Sequence, residues 1–180
     1  MKDLHKLTKL IRQIKNGDRG AFGELYDLFV DRVYRFIYFR VDKREDAEDL
    51  TEQIFVKALE KLPDYEEKGL PFEAWLFRVA RNAVIDFYRT RKIHVPLQKA
   101  AEVESSAPTP EEIAEHSLTK EWIMEKLRRL PDNYREVLVM TYLEELSHEE
   151  ISLILGKPVA HVRVLQSRAL AALRQKINGQ

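Results

Sequence analysis

The amino-acid sequence predicts an all-α protein made of two small helical domains joined by a flexible linker. Apolar residues recur every three or four positions along most of the chain, which is the period of an amphipathic helix, while alternating strand patterns are nearly absent. The pattern breaks at 93–116, which contains three prolines, small polar residues and little periodicity. We therefore expect a domain at 1–92, an acidic linker at 93–116 and a domain at 117–180.

Four helices are predicted in the first domain. The first ends at Asn16-Gly17-Asp18 and the third ends near Pro63, because glycine and proline interrupt helical hydrogen bonding. The second carries a continuous apolar face from Phe22 to Ile37. The predicted bounds are 4–15, 21–38, 44–62 and 72–92, with a loop at 63–71.

Four further helices are predicted in the second domain, at about 117–130, 132–143, 148–155 and 159–177. Ser147 and Glu150 have the spacing of a capping box at the start of the third. Gly156 suits the residue that follows its last turn. A short helix, a tight turn with glycine and a longer basic helix form a helix-turn-helix, which places its second helix in the DNA major groove.

Composition excludes several classes of protein. The chain holds 30 basic and 30 acidic residues and no cysteine, so disulfides and thiolate metal sites are excluded. It has no continuous apolar run of signal-peptide or membrane-spanning type, so a cytoplasmic protein without membrane insertion is expected. Five histidines lack metal-ligand spacing, and no phosphate loop or nucleophile elbow occurs. We expect no catalytic role, no metal and no cofactor.

The helix predicted at 72–92 has two distinct faces. One face is apolar and suits a core. A neighbouring strip combines an indole, two guanidinium groups and a carboxamide, which stack on bases, hold phosphates and hydrogen-bond base edges. An aromatic residue at helical spacing is more often part of a core, and this alternative applies to Trp75 and to Tyr65 in the preceding loop. The strip consists of Trp75, Arg78, Asn82, Ile85 and Arg89.

An acid-rich segment runs from Asp42 to Glu52. It lacks the spacing and loop glycine of a calcium-binding loop, which argues against a metal site. Acidic side chains also suit the N-terminus of a helix, where the macrodipole favours negative charge. A docking face for a basic protein partner is the third interpretation, and the residue pattern alone leaves the last two open.

The outward face of the last predicted helix is basic and polar. Arg163 and Ser167 point outward together, and side chains of these types contact guanine or phosphate. The alternative is a helical hairpin with a solvated basic face. Lys157, His161, Val164 and Arg168 complete the candidate DNA-contact set.

Taken together, these motifs resemble regions 2 and 4 of bacterial sigma-70 family initiation factors. Asp46-Ala-Glu-Asp-Leu-Thr-Glu-Gln-Ile-Phe, Trp75-Leu76, Arg81-Asn82 and Ile85-Asp86 are similar to region 2. Leu130-Pro131, Ser147 with Glu150-Ile151, Leu155-Gly156 and Arg168-Ala169 are similar to region 4. Two regions joined by one linker are typical of the extracytoplasmic-function (ECF) group.

The resemblance implies a sigma factor that directs core RNA polymerase to promoters. Region 2 would dock on the clamp helices of the β′ subunit, capture an unpaired base and read the −10 element as single strand. Region 4 would read the −35 element as duplex and meet the β flap. The docking residues implied are Asp46, Asp49, Leu50, Glu52, Gln53 and Phe55. The −10 residues are Asp64, Tyr65, Phe72, Trp75, Arg78, Asn82, Asp86 and Arg89.

Two competing hypotheses remain at this stage. One is a helix-turn-helix regulator that binds duplex DNA without polymerase, and the other is a protein-interaction module that sequesters a partner. The family also implies control by a separate anti-sigma factor. The recognition helix departs from the common Gly-Thr-Val-Lys-Ser-Arg pattern and reads Ala160-His161-Val162-Arg163-Val164-Leu165, so the −35 preference is not specified.

Overall fold

The computed structural model describes residues 2–67, 69–94 and 120–178, and within these ranges it contains helices and turns but no strand. The predicted all-α class is confirmed. The linker predicted at 93–116 lies outside the described residues from position 95 onward. The helices are α1 (Lys2–Lys15), α2 (Arg19–Tyr38), α3 (Arg44–Lys61), α4 (Phe72–His94), α5 (Lys120–Arg128), α6 (Asp132–Leu138), α7 (His148–Leu155) and α8 (Val159–Asn178).

The start of α2 shows how local chemistry sets a helix boundary. The Asp18 carboxylate accepts hydrogen bonds from the backbone N–H groups of Gly20 and Ala21, at 2.9 and 3.2 Å. These two amides have no carbonyl partner inside the helix, so the cap begins α2 at Arg19, two residues before the predicted start. Gly17 takes a positive φ of 89° in the turn before it.

Helices α1 to α4 form the N-terminal half and share one hydrophobic core. Leu25, Val33, Ile54 and Leu76 are completely buried there. Phe36 of α2 meets Phe77 of α4 edge to face, with ring centroids 5.4 Å apart. A short 3-10 turn, Leu62–Asp64, follows α3 and leads into the loop before α4.

Helices α5 to α8 form the C-terminal half. The helix predicted at 132–143 is α6 followed by a π-helical segment, Val139–Leu143. The π segment is followed by Glu145, which has a positive φ of 54°, and the chain then turns into α7. The predicted capping box of Ser147 and Glu150 is present, and Gly156 ends α7 with a φ of 62°. The predicted helix-turn-helix is therefore formed by α7 and α8.

The two halves contact each other. A flexible linker does not by itself require the two domains to touch, and the structure shows α4 packed against α7. Glu136 and Glu144 in the C-terminal half form ion pairs with arginines of the N-terminal half. These ion pairs join residues between 55 and 112 positions apart, which helical periodicity does not report.

We predict that Ser147→Ala lowers the free energy of unfolding by about 1 kcal/mol, because it removes one hydrogen bond of the capping box at the start of α7. Denaturant unfolding of the whole chain, followed by circular dichroism, measures this. Ser167→Ala is the matched control, because Ser167 is exposed within α8, and should stay within about 0.5 kcal/mol. Equal effects would show that the cap contributes nothing specific.

Candidate nucleic-acid and polymerase interfaces

The polar strip on α4 faces solvent. Arg78, Asn82 and Arg89 are exposed, and Ile85 retains 42% of its accessible surface. Trp75 is half-buried at the N-terminal end of the strip. The helix thus presents a stacking ring, two guanidinium groups and a carboxamide along one line, which is the arrangement the sequence predicted.

Two aromatic residues predicted to contact DNA are instead buried and pack against Trp75. Phe72 and Tyr65 are only 2% and 5% exposed. Their ring centroids lie 5.4 and 5.2 Å from that of Trp75. The Tyr65 hydroxyl donates to the carbonyl of Leu70 at 2.9 Å, and burial raises the pKa of Tyr65 to about 12. In this conformation neither ring offers a face to a base, so their role is to fix the Trp75 indole.

The outer side of α3 carries the predicted docking residues together with apolar ones. Asp49, Glu52 and Gln53 are exposed. Val56 and Leu59, which the sequence analysis did not select, are 58% and 45% exposed. Val56 and Leu59 could have been found from the sequence, because helical spacing places them on the same face as Gln53 and Glu52. The face therefore combines carboxylates with exposed aliphatic groups, as many protein interfaces do.

Leu50 and Phe55, also on the predicted docking list, point inward instead. They are 5% and 3% exposed, and Phe55 packs edge to face on Tyr26 with centroids 4.7 Å apart. Direct contact of these two side chains with a partner requires a different conformation. Their position makes them part of the core that holds α3 rigid.

A groove of ≈ 440 Å³ lies between α3 and α4, and Asp49 and Gln53 of the docking face line it. Asp46 and Arg91 also line it and form an ion pair, with Oδ2 and Nη1 2.9 Å apart. Asp86 lines this groove and pairs with Arg89 at 3.1 Å, so it lies between the docking face and the DNA strip. Arg91 was missed by the sequence analysis because its partner is 45 residues away.

The recognition helix presents its predicted contacts to solvent. Lys157, His161, Arg163, Ser167 and Arg168 are exposed, and Val164 retains 50% of its surface. Behind this face, Gln166 connects α8 to the rest of the half. Its Nε2 donates to the Tyr142 hydroxyl at 3.0 Å, and its Oε1 lies 2.6 Å from Nε2 of His148. The helix is therefore held at a fixed orientation relative to α7.

Two other kinds of site are absent from the described residues. No helix among them has the length and apolar content needed to cross a bilayer. In the same ranges, no group of three or more metal-ligating side chains is placed to hold an ion.

Each half of the chain matches a known protein family. The family model of sigma-70 region 2 matches residues 25–93, and that of sigma-70 region 4 matches residues 120–173. The chain is 34% identical over 176 residues to the ECF RNA polymerase sigma factor BldN of Streptomyces coelicolor, covering 95% of this chain and 66% of BldN. It is 30% identical over 181 residues to the ECF RNA polymerase sigma factor SigW of Bacillus subtilis, covering 95% of this chain and 96% of SigW.

Two solved structures share the fold. CnrH, in a complex with the cytosolic domain of CnrY, aligns with a TM-score of 0.71 and 27% identity, covering 95% of this chain and 96% of CnrH. The sigma factor RpoE of Bartonella quintana, in a complex with the anti-sigma factor NepR, aligns with a TM-score of 0.70 and 21% identity, covering 87% and 96%. The second likeness is one of fold alone.

The supporting role of Phe72 is testable. We predict that Phe72→Ala lowers the free energy of unfolding by about 3–5 kcal/mol, because it leaves a cavity beneath Trp75. Arg78→Ala, on the exposed strip of the same helix, should change it by less than about 0.5 kcal/mol. Chemical denaturation of both variants measures this. If Phe72→Ala were as mild as Arg78→Ala, Phe72 would not be a core residue.

Proposed function

The chain belongs to the sigma-70 family as an ECF RNA polymerase sigma factor, and from this premise we propose how its residues divide the work. The family resemblance and function inferred from the sequence are confirmed, and the regulator without polymerase and the sequestering module are set aside. A sigma factor binds core RNA polymerase and directs it to promoter DNA. We assign residues 1–92 to polymerase docking and −10 reading, 93–116 to the linker and 117–180 to −35 reading.

The observation that carries this assignment is the simultaneous exposure of three faces. The acidic and aliphatic face of α3, the polar strip of α4 and the basic face of α8 are all open to partners. In our proposal Asp49, Glu52 and Gln53 contact the polymerase clamp, with Val56 and Leu59 adding apolar area. Region 4 additionally meets the β flap.

In this proposal, the polar strip of α4 reads the −10 element by binding a base that has left the DNA duplex. A base must leave the stack before its Watson–Crick edge can be read, at a cost of a few kcal/mol. Stacking on an aromatic ring returns about 1–3 kcal/mol per base. Trp75 supplies that ring, Asn82 reads a base edge, and Arg78 and Arg89 hold phosphates. Asp64, exposed at the end of the 3-10 turn that precedes this loop, adds a further polar contact.

A protein regulator and a location follow as further parts of the proposal. CnrH, which shares this fold, was solved in a complex with the cytosolic domain of CnrY. We therefore propose that a separate protein binds this chain, and that it is the anti-sigma factor that the family resemblance implies. We assign the chain to the cytoplasm, where polymerase and promoter DNA meet, and to no catalytic reaction of its own.

Transcription with purified core polymerase tests the function directly. Core polymerase with this chain should initiate transcripts at a matched promoter, and core polymerase alone should not. If the chain neither associates with core nor starts transcripts, the proposed function fails.

The docking face gives a sharper test. Replacing Asp49 and Gln53 together with alanine should weaken core binding at least about tenfold, which corresponds to a joint contribution of about 1.4 kcal/mol from the two side chains. Binding of the same full-length variant to −35 duplex should be unchanged. Glu48→Gln is the control, because Glu48 is exposed on α3 but pairs with Arg44 at 2.8 Å. Equal losses in both assays would indicate misfolding.

The −35 assignment makes a separate prediction. Arg163→Ala should reduce affinity for −35 duplex by about 1–3 kcal/mol and relax the preference at one base pair if the guanidinium reads a base. A phosphate contact would instead weaken all sequences alike and lower the salt dependence. Fluorescence anisotropy across a duplex set distinguishes these. Arg129→Ala, which removes an exposed arginine paired with Glu125, is the control.

A further inference from the structure

Tyr65, the buried residue beside Trp75, has a partner for each of its polar groups. Its backbone N–H donates to the carbonyl of Leu62 at 3.1 Å, which closes the 3-10 turn. Its hydroxyl donates to the carbonyl of Leu70 at 2.9 Å, which joins the two ends of the loop before α4. Its backbone carbonyl accepts a hydrogen bond from Nζ of Lys15. Because buried backbone groups are nearly always paired, Lys15 completes the hydrogen bonding of a residue that is 5% exposed.

Lys15 reaches this loop from a distant part of the chain. It is the last residue of α1 and lies 50 positions before Tyr65. Helix α1 also packs against the 3-10 turn, Leu62–Asp64. The family model of region 2 begins its match at residue 25, so that match does not include Lys15. The loop that precedes the polar strip of α4 is therefore supported by a helix outside the matched residues.

The end of α1 is itself held in place. Ile11 and Ile14 are 7% and 8% exposed, so one face of the helix is buried against its neighbours. After Lys15 the chain turns back at once, with the N–H of Gly17 donating to the carbonyl of Ile14 at 2.9 Å. The backbone at Lys15 is thus fixed by packing and by the turn. Only the side chain has to be ordered for the ammonium group to bind the Tyr65 carbonyl, which limits the entropic cost.

The hydrogen bond from Lys15 is connected to the Trp75 indole through one residue. The Tyr65 ring lies 5.2 Å from the Trp75 ring and 5.7 Å from the Phe72 ring, measured between centroids. The backbone of Tyr65 sets where its ring can lie, and that ring is one of the two described above that pack against the indole. A change at the Tyr65 carbonyl is therefore expected to alter the orientation and mobility of Trp75.

We propose that Lys15 is a positioning residue for −10 recognition, which holds Tyr65 so that the Trp75 indole meets an unpaired base in one orientation. The capture of a base rests on the proposed function, whereas the ordering of Trp75 by Lys15 does not. Lys15 contacts no DNA in this proposal and acts through Tyr65. A stacking ring that is already ordered loses less freedom when a base binds, so the hydrogen bond from Lys15 strengthens capture.

The mobility of the indole in the free chain tests the first step. The sequence contains two tryptophans, so Trp122→Phe leaves Trp75 as the single fluorophore. In this background Lys15→Met, which keeps an unbranched side chain but removes the donor, should increase the amplitude of fast depolarisation in time-resolved fluorescence anisotropy. Lys15→Arg, which keeps a cationic donor, should restore the parent value. An unchanged anisotropy in Lys15→Met would overturn the proposal.

Promoter binding by the holoenzyme tests the second step. The probe is a forked promoter with a single-stranded −10 element, in which each −10 position is made abasic in turn. Lys15→Met should weaken binding to the intact fork by about threefold to tenfold, since a hydrogen bond from a charged group is lost. The difference should disappear on the fork that lacks the captured base. A loss of equal size on every fork would show that Lys15 acts through its charge and would overturn the positioning role.

The matched control removes the same charge from the same helix. Lys9 is exposed on α1, and Lys9→Met should leave both the Trp75 anisotropy and the affinity for the intact fork at the parent values. Equal effects of Lys9→Met and Lys15→Met would attribute both to the loss of a cation near DNA and would contradict positioning. Circular dichroism and binding to −35 duplex verify that each variant is folded.

A second substitution tests whether Lys15 acts through Tyr65. Tyr65→Phe removes the hydroxyl that joins the ends of the loop and keeps the ring. Combined with Lys15→Met, it should weaken binding to the intact fork by less than the product of the two separate factors, because both side chains hold the same residue in place. Independent effects would show that Lys15 does not act through Tyr65.

The two assays separate this proposal from the proposed function. If the holoenzyme with the unsubstituted chain bound no promoter fork, the proposed function and the role in base capture would both fail, and the anisotropy would still decide whether Lys15 orders Trp75. If the holoenzyme bound the intact fork equally well with Lys15 and with Lys15→Met, the positioning role would be overturned and the proposed function would stand.

Discussion

Helix α4 is the element on which the other contacts depend, because it is buried on two sides and exposed on a third. Leu76 and Phe77 are fully buried, and Phe77 packs on Phe36 of α2. The helix also packs against α7 of the C-terminal half, and Arg81 reaches Glu136. With 3.6 residues per turn, one helix has room for three such strips. The position of the strip proposed to read DNA is therefore fixed by the packing of the other two strips of α4.

Rigidity beneath the exposed strip has a functional consequence. A stacking ring recovers the energy of an unstacked base only if it does not lose freedom on binding. Trp75 leans on Tyr65 and Phe72, whose rings are within 5.4 Å of it, and Tyr65 is fixed through its hydroxyl to Leu70. In the proposed function, the core residues of this region therefore affect DNA recognition through the indole that they hold in place.

Charge has two uses in this chain, and the overall balance of 30 basic and 30 acidic residues conceals both. Exposed carboxylates on α3 remain hydrated and suit a basic partner surface. Buried carboxylates at Glu136 and Glu144 are paired with arginines from the other half. The first kind is accessible to a partner, and the second kind holds the two halves of the chain against each other.

The sequence by itself determined the helices, the helix-turn-helix and the exposed strips, because these depend on short-range spacing, capping and turn chemistry. Ser147, Gly156 and the Trp75–Arg89 strip were all predicted from neighbours within a few positions. Only the tertiary structure decided which of the candidate site residues are buried, as Phe72, Leu50 and Phe55 are. It also decided which distant residues form ion pairs, as Asp46 does with Arg91 and Glu144 does with Arg35. The physical reason is that an amphipathic pattern shows that a helix face is covered, while the choice of the covering element is made by contacts between residues 45 to 109 positions apart.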